Sequence, residues 1–438
     1  MKRRFPLVFS ALALLGAGQA SAALSPAEKV MVRTVDSEQQ RTTAFLQRIV
    51  DQNSGTMNIA GVEAVRQMVE SEFQKLGFRT QWIDMKAAGR AGHLVARHVG
   101  SPRGKRLLLI AHLDTVFELD SPFQRWRLDK NLAHGPGAGD DKGGIAVIVA
   151  ALRAMQAAGT LKQANITVFM TGDEEDAGSP LSVSRGDLVA EGKKADAALD
   201  FEDLAQEDGP GGPVDMGSTA RRSAGSWTVT VTGRSAHSAG VGAGNYGAIY
   251  ELSRIIDEFR RELPEDKLTY NVGLIGGGQT ARLDPERIRI EASGKTNIIA
   301  STAVARGDLR AISQDQIERT RAKMRAIVAR PLAGAHAEIS FDEDGYPPMP
   351  PTSGNKAILG ELNKVNADMG LPQMGELDPA KRGAGDISFV AADVSGLAGL
   401  GPASDGSHTD KEVVDIPSIF KQAKRAAILM SRLAREKR

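Results

Sequence analysis

Arg106-Leu107-Leu108-Leu109-Ile110-Ala111-His112-Leu113-Asp114 is an apolar run that starts on a cation and ends on an imidazole and a carboxylate. A short continuous apolar segment with charged ends reads as a strand buried on both faces, the kind that fills a parallel sheet. The same construction recurs at Ile166–Thr171, which leads into Asp173-Glu174-Glu175, and at Ala195–Leu199, which leads into Asp200-Phe201-Glu202. Further strands are expected at Arg79–Ile83 and His93–His98. Helical spacing of apolar residues marks Asp36–Val50, Ala60–Leu76 and a segment from Gly143 to about Ala158. Strands alternating with such helices imply an α/β domain with a mainly parallel sheet covered on both faces. Ligand groups in such sheets gather beyond the carboxyl ends of the strands, where these clusters stand.

The pattern changes after residue 203. Glu207-Asp208-Gly209-Pro210-Gly211-Gly212-Pro213 has the composition of a loop. Strands at Trp227–Thr232, Tyr270–Ile275, Ala303–Ala311 and Ala337–Phe341, with helices at Tyr246–Leu263 and Gln314–Ala329, follow it. Their order gives a split βαβ pattern, a smaller α+β domain. Tyr346-Pro347-Pro348-Met349-Pro350-Pro351 marks the return, and helices near Asn355–Met369 and Ile416–Arg435 resume the first pattern. The expected division is residues 23–220 with 346–438 as one discontinuous domain and 221–345 inserted in it.

Lys2, Arg3 and Arg4, an apolar run from Phe5 to Leu15, and Ala20-Ser21-Ala22 make residues 1–22 a secretory signal peptide, so export to the periplasm or beyond is expected. Taking those three cations from 55 Lys and Arg leaves 52 against 54 Asp and Glu, a net charge of −2. No basic field suits nucleic acid, and after signal cleavage no membrane association is expected. The chain has no cysteine, so disulfides, thiolate metal sites and cysteine nucleophiles are excluded.

The chemistry lies in the clusters. His112 at a strand end can ligate a metal while Asp114, two residues on, holds its other nitrogen. Asp140-Asp141-Lys142-Gly143-Gly144 offers either a helix cap or a carboxylate bridging two metals. Three adjacent carboxylates at Asp173–Glu175 repel one another unless a cation sits among them, and one glutamate could ligate while its neighbour acts as a base. Asp200 and Glu202 are both candidate ligands. Ser407-His408-Thr409-Asp410 adds a second imidazole.

In order and spacing these blocks resemble the co-catalytic zinc exopeptidases of the glutamate carboxypeptidase, aminoacylase and succinyl-diaminopimelate desuccinylase group, nearest to the carboxypeptidase G branch. The resemblance implies two Zn2+ per subunit, for which Co2+ or Mn2+ could stand in. It implies ligation by His112, Asp140, Glu175, Glu202 and His408, with Asp140 bridging and its peptide bond to Asp141 cis. Asp114 supports His112, and Glu174 is the general base that activates a water for attack on an amide. Asp200 falls where that branch is not usually acidic. His237 resembles a histidine that the second domain offers to the partner's site in a homodimer, although the loop Ser238–Tyr246 lacks the proline usual there. Asn297 and Arg310 match residues that grip a substrate carboxylate, and Gly383-Ala384-Gly385-Asp386 resembles a substrate loop. The implied function is release of a C-terminal amino acid from a small peptide or N-acyl amino acid. An aminoacylase or dipeptidase fits the same residues. From other classes, a di-metal phosphoesterase would also use His-x-Asp, and a non-catalytic periplasmic binding protein would use a two-lobed shape. His93, His98, His134 and His336 read as structural or surface residues.

Overall fold

The computed structural model describes residues 23–242 and 244–438. The expected signal peptide, residues 1–22, lies outside the described residues. Helices α1 (Pro26–Ser37), α2 (Gln39–Asp51) and α3 (Ile59–Lys75) lead into strands β1 (Arg79–Asp84), β2 (Gly92–His98) and β3 (Arg106–His112). Helix α4 (Lys142–Ala157) follows, then β4 (Asn165–Thr171) and β5 (Ala197–Asp200). These strands, with a short one at Gly396–Leu397, form one sheet in the order β1-β2-β4-β3-β5-(396–397). The three pairings from β4 to the last strand are parallel, and the two at the β1 edge are antiparallel. Because β3, β4 and β5 run the same way, His112, the 173–175 cluster and Asp200 all emerge at one edge.

Helix α4 is apolar on every face but for Lys142 and Arg153, and from Lys142 to Met155 every residue is buried. A helix of that composition has to lie inside the protein. It is enclosed by α1, α2 and the final helix on one side of the sheet. Val147, Ile148, Leu152, Leu109, Val168 and Leu429 belong to the resulting core.

The inserted unit contains β6 (Gly225–Gly233), helix α5 (Gly247–Glu262), β7 (Leu274–Gly278), β8 (Thr302–Arg310), helix α6 (Gln314–Val328) and β9 (Ala335–Phe341). β8 lies between β6 and β7, and β9 pairs with the far side of β6, all antiparallel. Trp227, Val229 and Val231 alternate with threonines along β6, so one face of this sheet is apolar and takes both helices. Trp227 meets the edge of Phe259 at 5.6 Å within this second core, separate from the first. Truncating either ring would cost about 3–5 kcal/mol. Helices α7 (Ser353–Asp368) and α8 (Ile416–Leu433) then return to the large sheet.

Three local expectations change. Gln206–Gly209 and Gly212–Gly217 pair as an antiparallel ribbon, with Pro210 and Gly211 as its turn rather than part of a longer loop. Tyr270–Ile275 is two strands, Thr269–Tyr270 and β7, because the register against β8 slips by one residue between them, although the Asn271 and Gly273 N–H groups still donate to β8 carbonyls. A polar hairpin, Thr280–Leu283 with Ile290–Ser293, was not expected. The chain leaves and re-enters the large unit through two adjacent segments that are themselves paired. Arg221 and Met349 exchange two backbone hydrogen bonds of 2.9 Å, and the Ala224 N–H donates to the Tyr346 carbonyl at 3.0 Å.

Candidate metal centre

His112 is the last residue of β3, and its buried ring faces two carboxylates. Nε2 lies 3.0 Å from Asp140 Oδ1, and Nδ1 lies 3.4 Å from Asp114 Oδ1. Asp114 is fully buried and gathers the site. It accepts from Thr56 Oγ1 at 2.7 Å and from the backbone N–H groups of Glu174 and Glu175 at 3.0 and 3.1 Å. Burial opposes its ionisation, but bonds from His112, Thr56 and the Glu174 N–H outweigh that and hold the carboxyl below its ordinary range.

Asp140 arrives on a turn rather than at a strand end. Gly137, at φ 75°, takes the left-handed conformation that the turn needs, and the Asp140-Asp141 peptide is cis. Glu412 holds the turn from below, accepting the Gly139 and Asp140 N–H groups at 2.9 and 3.2 Å. Asp141 begins α4 without capping it by its side chain. Its Oδ2 accepts the His112 N–H at 3.3 Å, and its Oδ1 is buried with no partner. Gly144 is needed here, since a Cβ would fall 2.2 Å from Asp141 Oδ1.

His408 closes the cluster from the C-terminal region, with its Nε2 3.1 Å from Glu175 Oε2 and 3.3 Å from Asp140 Oδ2. Ligand atoms of His112, Asp140 and Glu175 all lie within 4.8 Å of one another. Burial lowers the His112 imidazole, yet Asp114 and Asp140 raise it well above its usual value; Asp140 and Glu175 raise His408 to about 11. The place strongly favours added positive charge.

The three acids at 173–175 do not act together. Asp173 turns back into the protein and pairs with the buried Arg185 at 2.7 Å, so it needs no cation in the cluster. Glu174 and Glu175 remain on the site side. Burial and the neighbouring Glu202 push the Glu174 carboxyl well up; among the described residues no hydrogen bond or ion pair engages that carboxylate.

Asp200 and Glu202 share one arginine. Asp200 is buried at the end of β5, 3.1 Å from Arg221 Nη1, while Nη2 of that arginine bonds Glu202. The Arg221 Nε donates to the Gly383 carbonyl at 2.9 Å, which fixes the glycine loop beside Glu202. A Cβ on Gly385 would sit 2.6 Å from Glu202 Oε1, so this loop can approach only as glycine.

His237 and Asn297 are neighbours in the inserted unit, where the Ser238 N–H donates to the Asn297 carbonyl at 2.9 Å. Arg310 ends β8, its Nε 3.0 Å from Asp308 Oδ2, and lines a cavity with Asp344 and Tyr346. Among the described residues no hydrogen bond or ion pair joins His237, Asn297 or Arg310 to the carboxylate–imidazole cluster. Arg185, Arg221, Tyr346 and Glu412 were missed in the sequence; only the excess of buried acid could have pointed to the two arginines.

The profile of peptidase family M20/M25/M40 matches residues 108–432. The chain belongs to this family. Carboxypeptidase G2 of Pseudomonas sp. strain RS-16 is 27% identical over 420 residues, covering 92% of each chain. Among solved structures, aminopeptidase PepT of Bacillus cereus superposes with a TM-score of 0.71 at 17% identity, over 91% of this chain and 99% of that one. YxeP of Bacillus subtilis, described as a dinuclear metal-binding peptidase, gives 0.61 at 14%, over 91% and 99%. The α/β fold with a smaller inserted α+β unit is that of these M20 peptidases, and the non-catalytic binding-protein reading is set aside.

Proposed function

We propose that this M20 peptidase is an exported dinuclear metallohydrolase that cleaves an amide bond to release a C-terminal amino acid. The convergence of two imidazoles on Asp140 and Glu175, beside the unengaged Glu174 carboxylate, carries this reading. The donor set suits divalent ions: nitrogen and carboxylate oxygen only, close together, in a field that favours cations. His112 and Glu202 would hold one ion, His408 and Glu175 the other, and Asp140 would bridge. Arg221 pairs with both Asp200 and Glu202; we assign Glu202 as the ligand and Asp200 as the counter-charge of the arginine. When bound, two zinc ions supply Lewis-acid chemistry, acidifying water and polarising a carbonyl.

The protein's own groups do the rest. Asp114 fixes the His112 ring and, through two N–H groups, the backbone of Glu174 and Glu175. Glu174, its carboxylate free of internal hydrogen bonds, would take a proton from the attacking water and pass it to the departing amine. Arg310 and Asn297 would grip the substrate carboxylate, with the Gly383 loop shaping the pocket. His237 would serve the partner's site in a homodimer. Ile249 and Tyr250 on α5 and Ile275 on β7 leave apolar surface exposed on the inserted unit, as a dimer contact requires. We assign residues 23–220 with 346–438 to the catalytic domain and 221–345 to the dimerisation domain, and we take export from the leader at 1–22. Full-length similarity to carboxypeptidase G2 favours a C-terminal glutamate as leaving group over an aminoacylase or dipeptidase preference.

A hydrolysis screen of zinc-loaded protein tests this, using peptides with C-terminal glutamate, folate-like substrates and N-acyl amino acids, with a chelator control. Glu174→Ala should abolish turnover while two metals remain bound; unchanged turnover would sink the base assignment.

A further inference from the structure

Glu174 is held by its backbone on both sides while its carboxylate is left free. Its N–H is bound by Asp114 at 3.0 Å, and its carbonyl accepts a 2.8 Å bond from the Tyr346 hydroxyl. Tyr346 does not belong to the loop it grips. It stands in the returning linker, 172 residues away in sequence, where its own carbonyl is bonded to Ala224 of the outgoing linker. The hydroxyl is aimed by what lies behind it. Arg185 Nη2 donates to it at 3.1 Å, and Arg185 is fixed in turn by Asp386 at 2.8 Å and Asp173 at 2.7 Å. Thr171, at the end of β4, donates to the other oxygen of Asp386. The Tyr346 ring packs edge-on against Phe389, 4.9 Å between centroids, which sets its direction.

We propose that Tyr346 is a positioning residue for Glu174, fixing the peptide of the base from the linker between the two units so that base geometry and linker geometry are set together. The proposal rests on reading Glu174 as the general base. A carboxylate that must reach a water and then a leaving amine gains from a fixed Cα and a free side chain, since small displacements of a base cost large factors in rate. Asp114 holds the Glu174 and Glu175 N–H groups from one face, so the peptide that follows the Glu174 Cα is anchored at its N–H but not at its carbonyl. The Tyr346 hydroxyl fixes that carbonyl from the linker side, and among the described residues no hydrogen bond or ion pair joins it to His112, Asp140, Glu175, Glu202 or His408.

The test is Tyr346→Phe in the full zinc-loaded protein, which keeps the ring on Phe389 and removes one hydrogen bond. The expected result is a fall in kcat of about tenfold with KM within about twofold and the metal content unchanged. In a Glu174→Asp background, where the carboxylate is already withdrawn, the same change should cost less than about threefold, because both substitutions spoil one geometry. An unchanged kcat, or an equal loss in both backgrounds, would overturn the proposal, as would an effect confined to thermal stability. Full turnover by Glu174→Ala would overturn the base assignment and this proposal with it. Loss of turnover in Glu174→Ala with none in Tyr346→Phe would overturn the proposal alone.

Discussion

Asp114→Asn removes one charge and one acceptor where the site has most need of them. The carboxylate faces four donors: Thr56 Oγ1 at 2.7 Å and the Glu175 N–H at 3.1 Å on Oδ2, the Glu174 N–H at 3.0 Å on Oδ1, and His112 Nδ1 at 3.4 Å from Oδ1. An asparagine offers one oxygen. Placed at Oδ2, it leaves its amide hydrogens pointing at the Glu174 N–H and the His112 ring. Placed at Oδ1, it confronts Thr56 and Glu175 instead. Either way a buried donor meets a donor, which costs about 1–3 kcal/mol, and the histidine loses the partner that sets its tautomer. We expect a stability loss of about 2 kcal/mol in urea unfolding at fixed zinc. Metal affinity should weaken by about 10–100-fold in competition with a chromogenic chelator, with a similar loss in kcat/KM. Metal affinity and kcat/KM both within threefold of the parent would refute the reasoning, because Asp114 would then be a structural acceptor only.

Other substitutions separate the remaining roles. Glu202→Gln should lower bound metal by one equivalent per chain, whereas Asp200→Asn should keep both metals and lose about 3 kcal/mol of stability from an under-compensated Arg221; metal analysis beside denaturant unfolding distinguishes them. His237→Ala and Glu174→Ala should each be inactive, yet co-expressed chains should recover about a quarter of parental activity through mixed dimers with one intact site; no recovery would mean the site is not shared. Glu28 ties α1 to Arg432 of α8 at 2.8 Å; burial raises its carboxyl, but Arg432 and Ser25 outweigh this and hold it below the ordinary range. That pair therefore stabilises fully above the unfolded pKa, and the contribution drains away as pH falls through the lowered folded value. Glu28→Gln should cost about 2 kcal/mol at neutral pH, with the gap to the parent closing below about pH 4.

The large sheet was legible because its strands are buried on both faces. Leu107–Ala111, Val168–Thr171 and Ala197–Leu199 have no solvent side to dilute the apolar signal. The hairpin over 280–293 has strands of four residues, with Arg282 on one opposite Glu291 on the other, so nothing in its composition separates it from a loop. The ribbon at 206–217 was hidden by the glycines and prolines that make its turn. His112, Glu175 and Glu202 were visible because they stand at or just beyond strand ends, whereas His408 lies in a turn. Asp140 was harder, since a turn and the distant Glu412 place it. Arg221 and Tyr346 were invisible for a topological reason: the linkers read only as Pro- or Gly-rich passages, and their side chains gain meaning once both linkers lie against the site. Asp173, seemingly part of a triple acid, is removed from it by Arg185, a partner that adjacency in sequence could not supply.

The proposed function stands on a two-ion centre held by His112, Asp140, Glu175, Glu202 and His408. Metal stoichiometry after zinc loading and exhaustive dialysis tests it most directly, measured on the parent and on His112→Ala and His408→Ala. Two zinc ions per parent chain are expected, with a loss of about one in each variant. One ion or none in the parent, or two retained in both variants, would contradict it.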